Sequence, residues 1–123
     1  MHALIIEDES MIAFAIEEVL RECGFTSFDV APSAHSAIVA AALRRPDMIT
    51  SDVQLKPGCG IATVATISSG PTIPTVFITG NAADVARSLP NYRVLEKPFS
   101  ERALIAAVAS AMLNVPEVDA TKP

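Results

Sequence analysis

Asp47-Met48-Ile49-Thr50-Ser51-Asp52 is a short run that ends in a carboxylate where a strand should stop. The stretch after it, Val53-Gln54-Leu55-Lys56-Pro57-Gly58-Cys59-Gly60, is a loop punctuated by Pro and Gly with no helical period. An aspartate at such a junction is ordinarily a turn residue whose side chain bonds nearby backbone amides. The ends of the other apolar runs change that reading of Asp52. Glu7-Asp8-Glu9 follows the first run, Thr79-Gly80 closes a later one, and Lys97-Pro98 follows the last.

Upstream, Ala3 to Ile6 is a continuous apolar run of strand length, as expected of a strand buried on both faces. Ser10 stands where a helix N-cap belongs, and Met11, Ile12, Phe14, Ala15, Val19 and Leu20 recur at helical intervals until Gly24. Ser27 to Ala31 reads as a second strand. Pro32-Ser33 opens a helix through Ala34, Ala37, Ile38, Ala41 and Leu43, which Pro46 ends. Downstream of Asp52, Ile61 to Ser69 is a short helix broken by Gly70-Pro71, and Pro74 to Thr79 is a β-branched strand. Ala82 to Leu89 is at most two turns of helix, Arg93 to Glu96 a fifth short strand, and Ser100 caps a last helix. That helix carries an apolar stripe of Leu104, Ile105, Val108, Ala109, Met112 and Leu113. From Pro116 onward there is no period, so a single folded unit over 1–115 and a frayed tail over 116–123 are expected.

Five strands alternating with five helices predict an α/β fold, a parallel sheet covered on both faces. In such sheets ligands bind beyond the C-terminal ends of the strands. Glu7, Asp8, Asp52, Thr79 and Lys97 each close or follow a different strand or share its loop, so the topology can crowd them on one edge.

Composition narrows the function classes. At 123 residues the chain is one domain with room for a single core, and it is 50% hydrophobic and 19% charged. Its 14 acidic residues against 9 basic ones give a net charge of -5, which argues against direct nucleic-acid binding. Nothing in it reads as a signal peptide, a membrane span or a basic amphipathic helix, and Cys23 and Cys59 fit no metal spacing. A small acidic cytoplasmic domain is expected, with its thiols reduced.

Glu7, Asp8 and Asp52 would bring three carboxylates together. Two unit charges about 4 Å apart repel by roughly 4 kcal/mol at an effective dielectric of 20, so a cation between them is a natural relief. Oxygen donors of this kind suit Mg²⁺, whose shell also accepts a phosphate oxygen. Lys97 adds a positive charge and Thr79 a hydroxyl donor, the mixture that an oxygen-rich anion requires. The chemistry this set favours is in-line attack of Asp52 on phosphorus, giving an acyl phosphate.

The acidic pair after strand one, the aspartate after strand three, the Thr-Gly after strand four and the Lys-Pro after strand five resemble the receiver domain of two-component response regulators. The resemblance runs from about Ala3 to Leu113. It implies the flavodoxin-like (βα)5 three-layer sandwich, with a five-stranded sheet in the order 2-1-3-4-5. Asp52 would be the phosphoacceptor, served by a histidine kinase or histidine phosphotransfer protein. Asp8, Asp52 and the Gln54 carbonyl would ligate Mg²⁺, with Glu7 acting through water. Thr79 would be the switch hydroxyl and Lys97 the counter-ion of the phosphoryl group, and the Lys97-Pro98 peptide would be cis. Gln54 and Asn81 would flank the path of the hydrolytic water. Activity would be confined to self-catalysed phosphoryl transfer and autodephosphorylation, and output would pass to a downstream protein, in this family commonly through helix four, strand five and helix five.

Three positions depart from the family pattern. Val94 stands where an aromatic residue often precedes the lysine by three, Pro57 comes one place late, and the segment from Thr79 to Lys97 is short. Asp52-Val53-Gln54-Leu55 with Gly60, and Phe77-Ile78-Thr79-Gly80, are similar to stand-alone alphaproteobacterial receivers and those of general-stress regulators, although Asn81 replaces a bulkier residue there. Two other readings stand beside the phosphoacceptor: a receiver-like interaction module that takes no phosphate, and an aspartyl-phosphate phosphatase on the same fold. A flavin site is disfavoured because Glu7-Asp8-Glu9 repels an unmetallated phosphate, and no Walker-type motif occurs.

Overall fold

The computed structural model describes residues 1–55 and 57–113. The expected tail over 116–123, and the last two residues of the unit expected to end at 115, lie outside the described residues. Five strands, β1 (His2–Ile6), β2 (Ser27–Ala31), β3 (Met48–Asp52), β4 (Thr75–Thr79) and β5 (Arg93–Glu96), form one sheet in the order β2-β1-β3-β4-β5. Every neighbouring pair is parallel, so all strands present their C-terminal ends at one edge. The helices α1 (Ser10–Glu22), α2 (Ala34–Leu43), α3 (Gly60–Ile67), α4 (Ala82–Ser88) and α5 (Glu101–Leu113) make the crossovers. This is the flavodoxin-like arrangement expected from the sequence.

The three central strands are buried along their whole length, which is why they read as apolar runs rather than as alternating patterns. Side chains of alternate parity enter two separate cores. Ala3, Ile5, Met48, Val76 and Ile78 pack with α1 and α5. Leu4, Ile6, Ile49 and Phe77 pack with α2 and α3, and Val85, Leu89, Tyr92 and Val94 join them from the side of α4 and β5. A fully buried aliphatic or aromatic side chain contributes about 1.5–3 kcal/mol, so these two layers supply the bulk of the stability.

Edge strand β2 is held by a polar cluster that the sequence reading did not single out. His2 is buried, with Nδ1 2.8 Å from Ser27 Oγ and Nε2 3.0 Å from Asp29 Oδ2, while its backbone N–H donates to Asp47 Oδ2 at 2.7 Å. Ser27 Oγ also accepts from Arg44 at the end of α2, at 2.8 Å.

Helix start differs from expectation in α1, and helix phase in α1, α2 and α5. Ser10 is already the first helical residue, and Glu9 occupies the N-cap without a side-chain bond. Along α1 the buried residues are Ala13, Ile16, Val19 and Leu20, whereas Met11 and Phe14 are 84% and 65% exposed. At about 100° per residue, Met11 and Phe14 fall on the side opposite Ala13 and Ile16, and a helix of this composition offers apolar residues on both sides. In α2 only Ala37 is buried, and Leu43, expected on the core face, is exposed. In α5, Leu104, Val108 and Ala111 form the buried stripe, with Ile105 and Leu113 outside it. Ser33 caps α2 in a capping box with Ser36, Gly24 follows α1 at φ 99°, and Ser100 Oγ accepts from Ala103 N–H at 3.0 Å, all where the sequence places such signals.

The loop after β3 is a tight fold-back. Gln54 bridges Cys59 in antiparallel fashion, Leu55 N–H donates to Gly58 O, and Gly60 N–H donates to Val53 O at 2.7 Å. A β-carbon on Gly60 would stand 1.8 Å from the Asp52 carbonyl oxygen and 2.6 Å from Ser51 Oγ, so the start of α3 lies directly against the end of β3. Gly70 has nothing within 4 Å of the same position. Gly60→Ala is therefore expected to cost about 3 kcal/mol or more in urea unfolding, and Gly70→Ala to change stability by less than about 1 kcal/mol. Equal effects of the two substitutions would contradict the close approach.

Candidate functional site

The C-terminal edge of the sheet collects the residues expected there. Glu7 follows β1 directly, Asp8 lies one residue further, Asp52 and Thr79 are the last residues of β3 and β4, and Lys97 follows β5. Pairing of Thr79 with Glu96 puts Lys97 one step beyond the sheet, where its N–H donates to Thr79 O at 2.9 Å. Its side chain then reaches across β4 toward the middle of the sheet. Lys97 Nζ stands 3.0 Å from Asp52 Oδ2 and 3.0 Å from Glu7 Oε1, joining residues from β5, β3 and β1. The contact to Asp52 is a hydrogen bond; that to Glu7 is an ion pair without hydrogen-bond alignment. The Lys97-Pro98 peptide is cis, as the family resemblance implied.

Burial differs sharply within the cluster. Glu7 is 2% exposed, Thr79 3% and Asp52 8%, whereas Asp8 is exposed. Removal of water raises the Glu7 carboxyl above its ordinary 4.5, and Lys97 and the Glu9 amide only partly offset that. Burial disfavours the charged Lys97 ammonium, yet its hydrogen bond to Asp52 and its ion pair with Glu7 outweigh that push and raise it above its ordinary 10.5. Lys97 is thus a fixed positive charge at neutral pH.

Backbone amides set the remaining orientations. Glu9 N–H donates to Glu7 Oε2 at 3.2 Å, and Gln54 N–H donates to Asp52 Oδ1 at 3.2 Å. Asp52 therefore has one oxygen toward Lys97 and the other toward its own loop. Thr79 Oγ1 accepts from Asn81 N–H at 3.2 Å.

One carboxylate oxygen from each of Glu7, Asp8 and Asp52 lies within 4.8 Å of the other two. Three carboxylates against one ammonium leave an excess of negative charge that a divalent cation neutralises, and an all-oxygen donor set suits a hard ion such as Mg²⁺. Glu7, Asp8, Asp52, Thr79 and Lys97 are all brought to one edge. Gln54 sits two residues past Asp52 in the fold-back loop, exposed, with its backbone fixed by the Asp52 and Cys59 contacts. Asn81 is the exposed N-cap of α4.

Two contributors escaped the sequence reading. The Glu9 amide orients Glu7, but a backbone donor has no residue signature. Glu96 Oε1 accepts from Ala82 N–H at 2.9 Å and so holds the start of α4. An acid beside Lys97 was visible in the sequence, but only strand register shows that it faces the α4 side.

Comparison with known proteins agrees with this geometry. The model of the response regulator receiver domain family matches residues 3–109. The transcriptional regulatory protein PdtaR of Mycobacterium tuberculosis is 32% identical over 121 residues, which cover 95% of this chain and 59% of PdtaR. The phyllosphere-induced regulator PhyR of Methylorubrum extorquens is 31% identical over 116 residues, 89% of this chain and 42% of that protein. The chain thus spans less than two thirds of the length of the curated relatives it matches, 59% of PdtaR and 42% of PhyR. The solution structure of the Erythrobacter litoralis PhyR receiver domain superposes with a TM-score of 0.82 at 29% identity, covering 96% of this chain and 95% of that one. The PhyR response regulator of Brucella abortus gives 0.80 at 29% identity, over 91% of this chain and 47% of its own. On the sheet order, the edge cluster and these matches together, the chain belongs to the response regulator receiver domain family.

Proposed function

We propose that Asp52 accepts a phosphoryl group from a histidine kinase or histidine phosphotransfer protein, and that the phosphorylated chain changes its contact with a downstream protein. The observation that carries this is the placement of Lys97 Nζ 3.0 Å from both Asp52 and Glu7, in a cluster whose three carboxylates converge. Asp8, Asp52 and the Gln54 carbonyl would hold Mg²⁺, with Glu7 acting through water. When bound, the ion would supply charge neutralisation to the transferring phosphoryl group. Asp52 contributes the attacking oxygen: the bond from its Oδ to phosphorus forms as the bond from phosphorus to the donor imidazole nitrogen breaks. Lys97 offers its ammonium to the oxygens that gain charge, and Thr79 offers its hydroxyl once it leaves the Asn81 amide.

A docking face for the donor lies beside the cluster. Exposed Met11, with Ile12, Ala15, Pro98 and Phe99, lines an apolar groove of about 420 Å³ that Lys97 also borders, and exposed Phe14 is on the same helix. Apolar surface at the mouth of a charged site favours a protein donor over a free metabolite. No helix among the described residues is long and apolar enough to cross a membrane.

Acetyl phosphate with Mg²⁺ is expected to label the wild-type chain, and Asp52→Ala, shown folded by circular dichroism, to lose the label. Label retained in that variant would sink the assignment. Lys97→Ala is expected to slow labelling by about 10²-fold, within the range seen when one charge-stabilising donor is removed; an unchanged rate would remove Lys97 from the reaction.

Glu7 also makes stability depend on pH. Its carboxyl binds a proton more tightly in the folded state than its ordinary 4.5, so the native chain carries the extra proton between 4.5 and the raised value. Stability therefore falls as pH rises through that window. In metal-free urea unfolding, Glu7→Gln is expected to gain on wild type as pH goes from 4.5 to 7.5. A difference that does not move with pH would mean burial does not dominate at Glu7.

A further inference from the structure

Glu96 is the last residue of β5 and stands outside the acidic cluster, yet its side chain is committed. In the sheet it faces Thr79 across the β4–β5 pairing. Its Oε1 accepts a hydrogen bond from Ala82 N–H, the first residue of α4, at 2.9 Å. One residue earlier, Asn81 N–H donates to Thr79 Oγ1 at 3.2 Å. Two consecutive amides of the β4–α4 junction are thus held by two side chains that are opposite each other in the sheet. Asn81 occupies the N-cap of α4 but makes no side-chain capping bond, and the carboxylate of Glu96, from another strand, satisfies the first amide of the helix instead.

Helix α4 has little else to hold it. It is seven residues long and none of them is buried; Val85, and Leu89 just beyond its end, are only partly buried against the core. At the position where a bulky ring could link the site to this helix, Val94 is an aliphatic residue in the core layer opposite Phe77. Tyr92 lies edge-on to Phe77 with ring centroids 5.4 Å apart, two residues further from the site.

We infer that Glu96 is a latch: its carboxylate holds the Ala82 amide while Asp52 is unmodified, and release of that bond lets α4 move when Asp52 carries a phosphoryl group. The inference rests on the proposed phosphorylation of Asp52. When Thr79 turns its hydroxyl to a phosphoryl oxygen, the Asn81 amide loses its acceptor. The next amide along the chain is the one Glu96 holds, so the carboxylate decides how readily the helix follows. Glu96 touches neither the reacting atoms nor the converging carboxylates and is a positioning residue. A hydrogen bond to a carboxylate is stronger than one to a neutral acceptor, so an acid holds the helix more firmly than an amide does. The coupling is reciprocal: if the phosphoryl group weakens the latch, loss of the latch strengthens phosphoryl binding by the same factor.

Amide NMR of the full chain, with Mg²⁺ alone and with Mg²⁺ plus beryllofluoride as phosphoryl analogue, tests this on wild type, Glu96→Ala and Glu96→Gln. Without the analogue, the amides from Ala82 to Ser88 in E96A are expected to exchange with solvent about tenfold faster than in wild type. Their shifts are expected to move toward those of analogue-bound wild type, while β1 and α5 amides stay in place. E96A is expected to bind beryllofluoride about 3- to 10-fold more tightly, the factor a lost charge-assisted hydrogen bond allows. E96Q, which keeps an acceptor oxygen, should lie between the two and carries the test if E96A perturbs β1 or α5. If wild type responds to beryllofluoride but E96A matches it in α4 exchange and affinity, or binds more weakly, the latch is wrong and the phosphoacceptor reading stands. If wild type does not respond at all, the phosphoacceptor reading fails and the coupling fails with it.

Discussion

The upper edge of the sheet depends on one ammonium shared by two carboxylates. Glu7 and Asp52 are almost fully buried, at 2% and 8% exposure, on neighbouring strands whose chain directions bring their ends together. An unpaired charge in that position costs about 3–5 kcal/mol when its partner is removed. Lys97, 3.0 Å from each, supplies the pairing from the far side of β4. Its own backbone is tied to Thr79 O, so β1, β3, β4 and β5 all meet in this contact. Burial still holds the Glu7 carboxyl above its ordinary range, with Lys97 and the Glu9 amide offsetting it only in part. Titratable groups perturbed in this way and converging on one sheet edge mark a candidate site.

The polar residues of β3 follow from the same constraint. A fully buried strand whose last residue is an aspartate of the edge cluster needs that carboxylate presented and its loop kept short. Ser51 Oγ donates to the Asp52 carbonyl at 2.9 Å, and Gly60 lets α3 begin against that same carbonyl. The fold-back from Val53 to Gly60 then gives the Gln54 amide to Asp52 Oδ1. Thr50 and Ser51, which weaken the apolar pattern of the strand in the sequence, are both buried, and Ser51 belongs to this junction.

Legibility in the sequence followed the same divide. Strand positions and parallel order were readable because burial on both faces forces continuous apolar runs, and turn residues punctuate them. The cluster was readable because strand ends in a parallel sheet share one edge, so order along the chain becomes proximity in space. Helix phase was less readable. Met11 and Phe14 look like core residues by type and spacing, but Ala13 and Ile16 cover the sheet, and a helix apolar on two sides cannot declare which side is buried. Helix α2 shows this more strongly, with Ile38, Val39 and Leu43 outside and only Ala37 buried. His2 and Glu96 were hidden for another reason. Their partners lie 25 or more residues away for His2 and 14 for Glu96, and only the register of β1 on β2 and of β4 on β5 brings them together.

Rigidity is therefore unevenly distributed around Asp52. On its α1 and α3 sides, the strand ends are buried and the loops are held by backbone bonds and the Gly60 contact. On the β4–β5 side, the junction after Thr79 leads into a helix with no buried residue, anchored by two amide bonds and the partial burial of Val85 and Leu89. Elements with few buried contacts open at the smallest free-energy cost. On the proposed phosphorylation, a change in charge at Asp52 would act on all of these neighbours, and among the described helices α4 is the one with no buried residue to resist a perturbation worth one or two hydrogen bonds. With Val94 in place of a ring, no large side chain must swing through the core for that response. On the proposed phosphorylation of Asp52, the signal would leave through the backbone amides that follow Thr79, a short route with its control in polar groups at the end of β5.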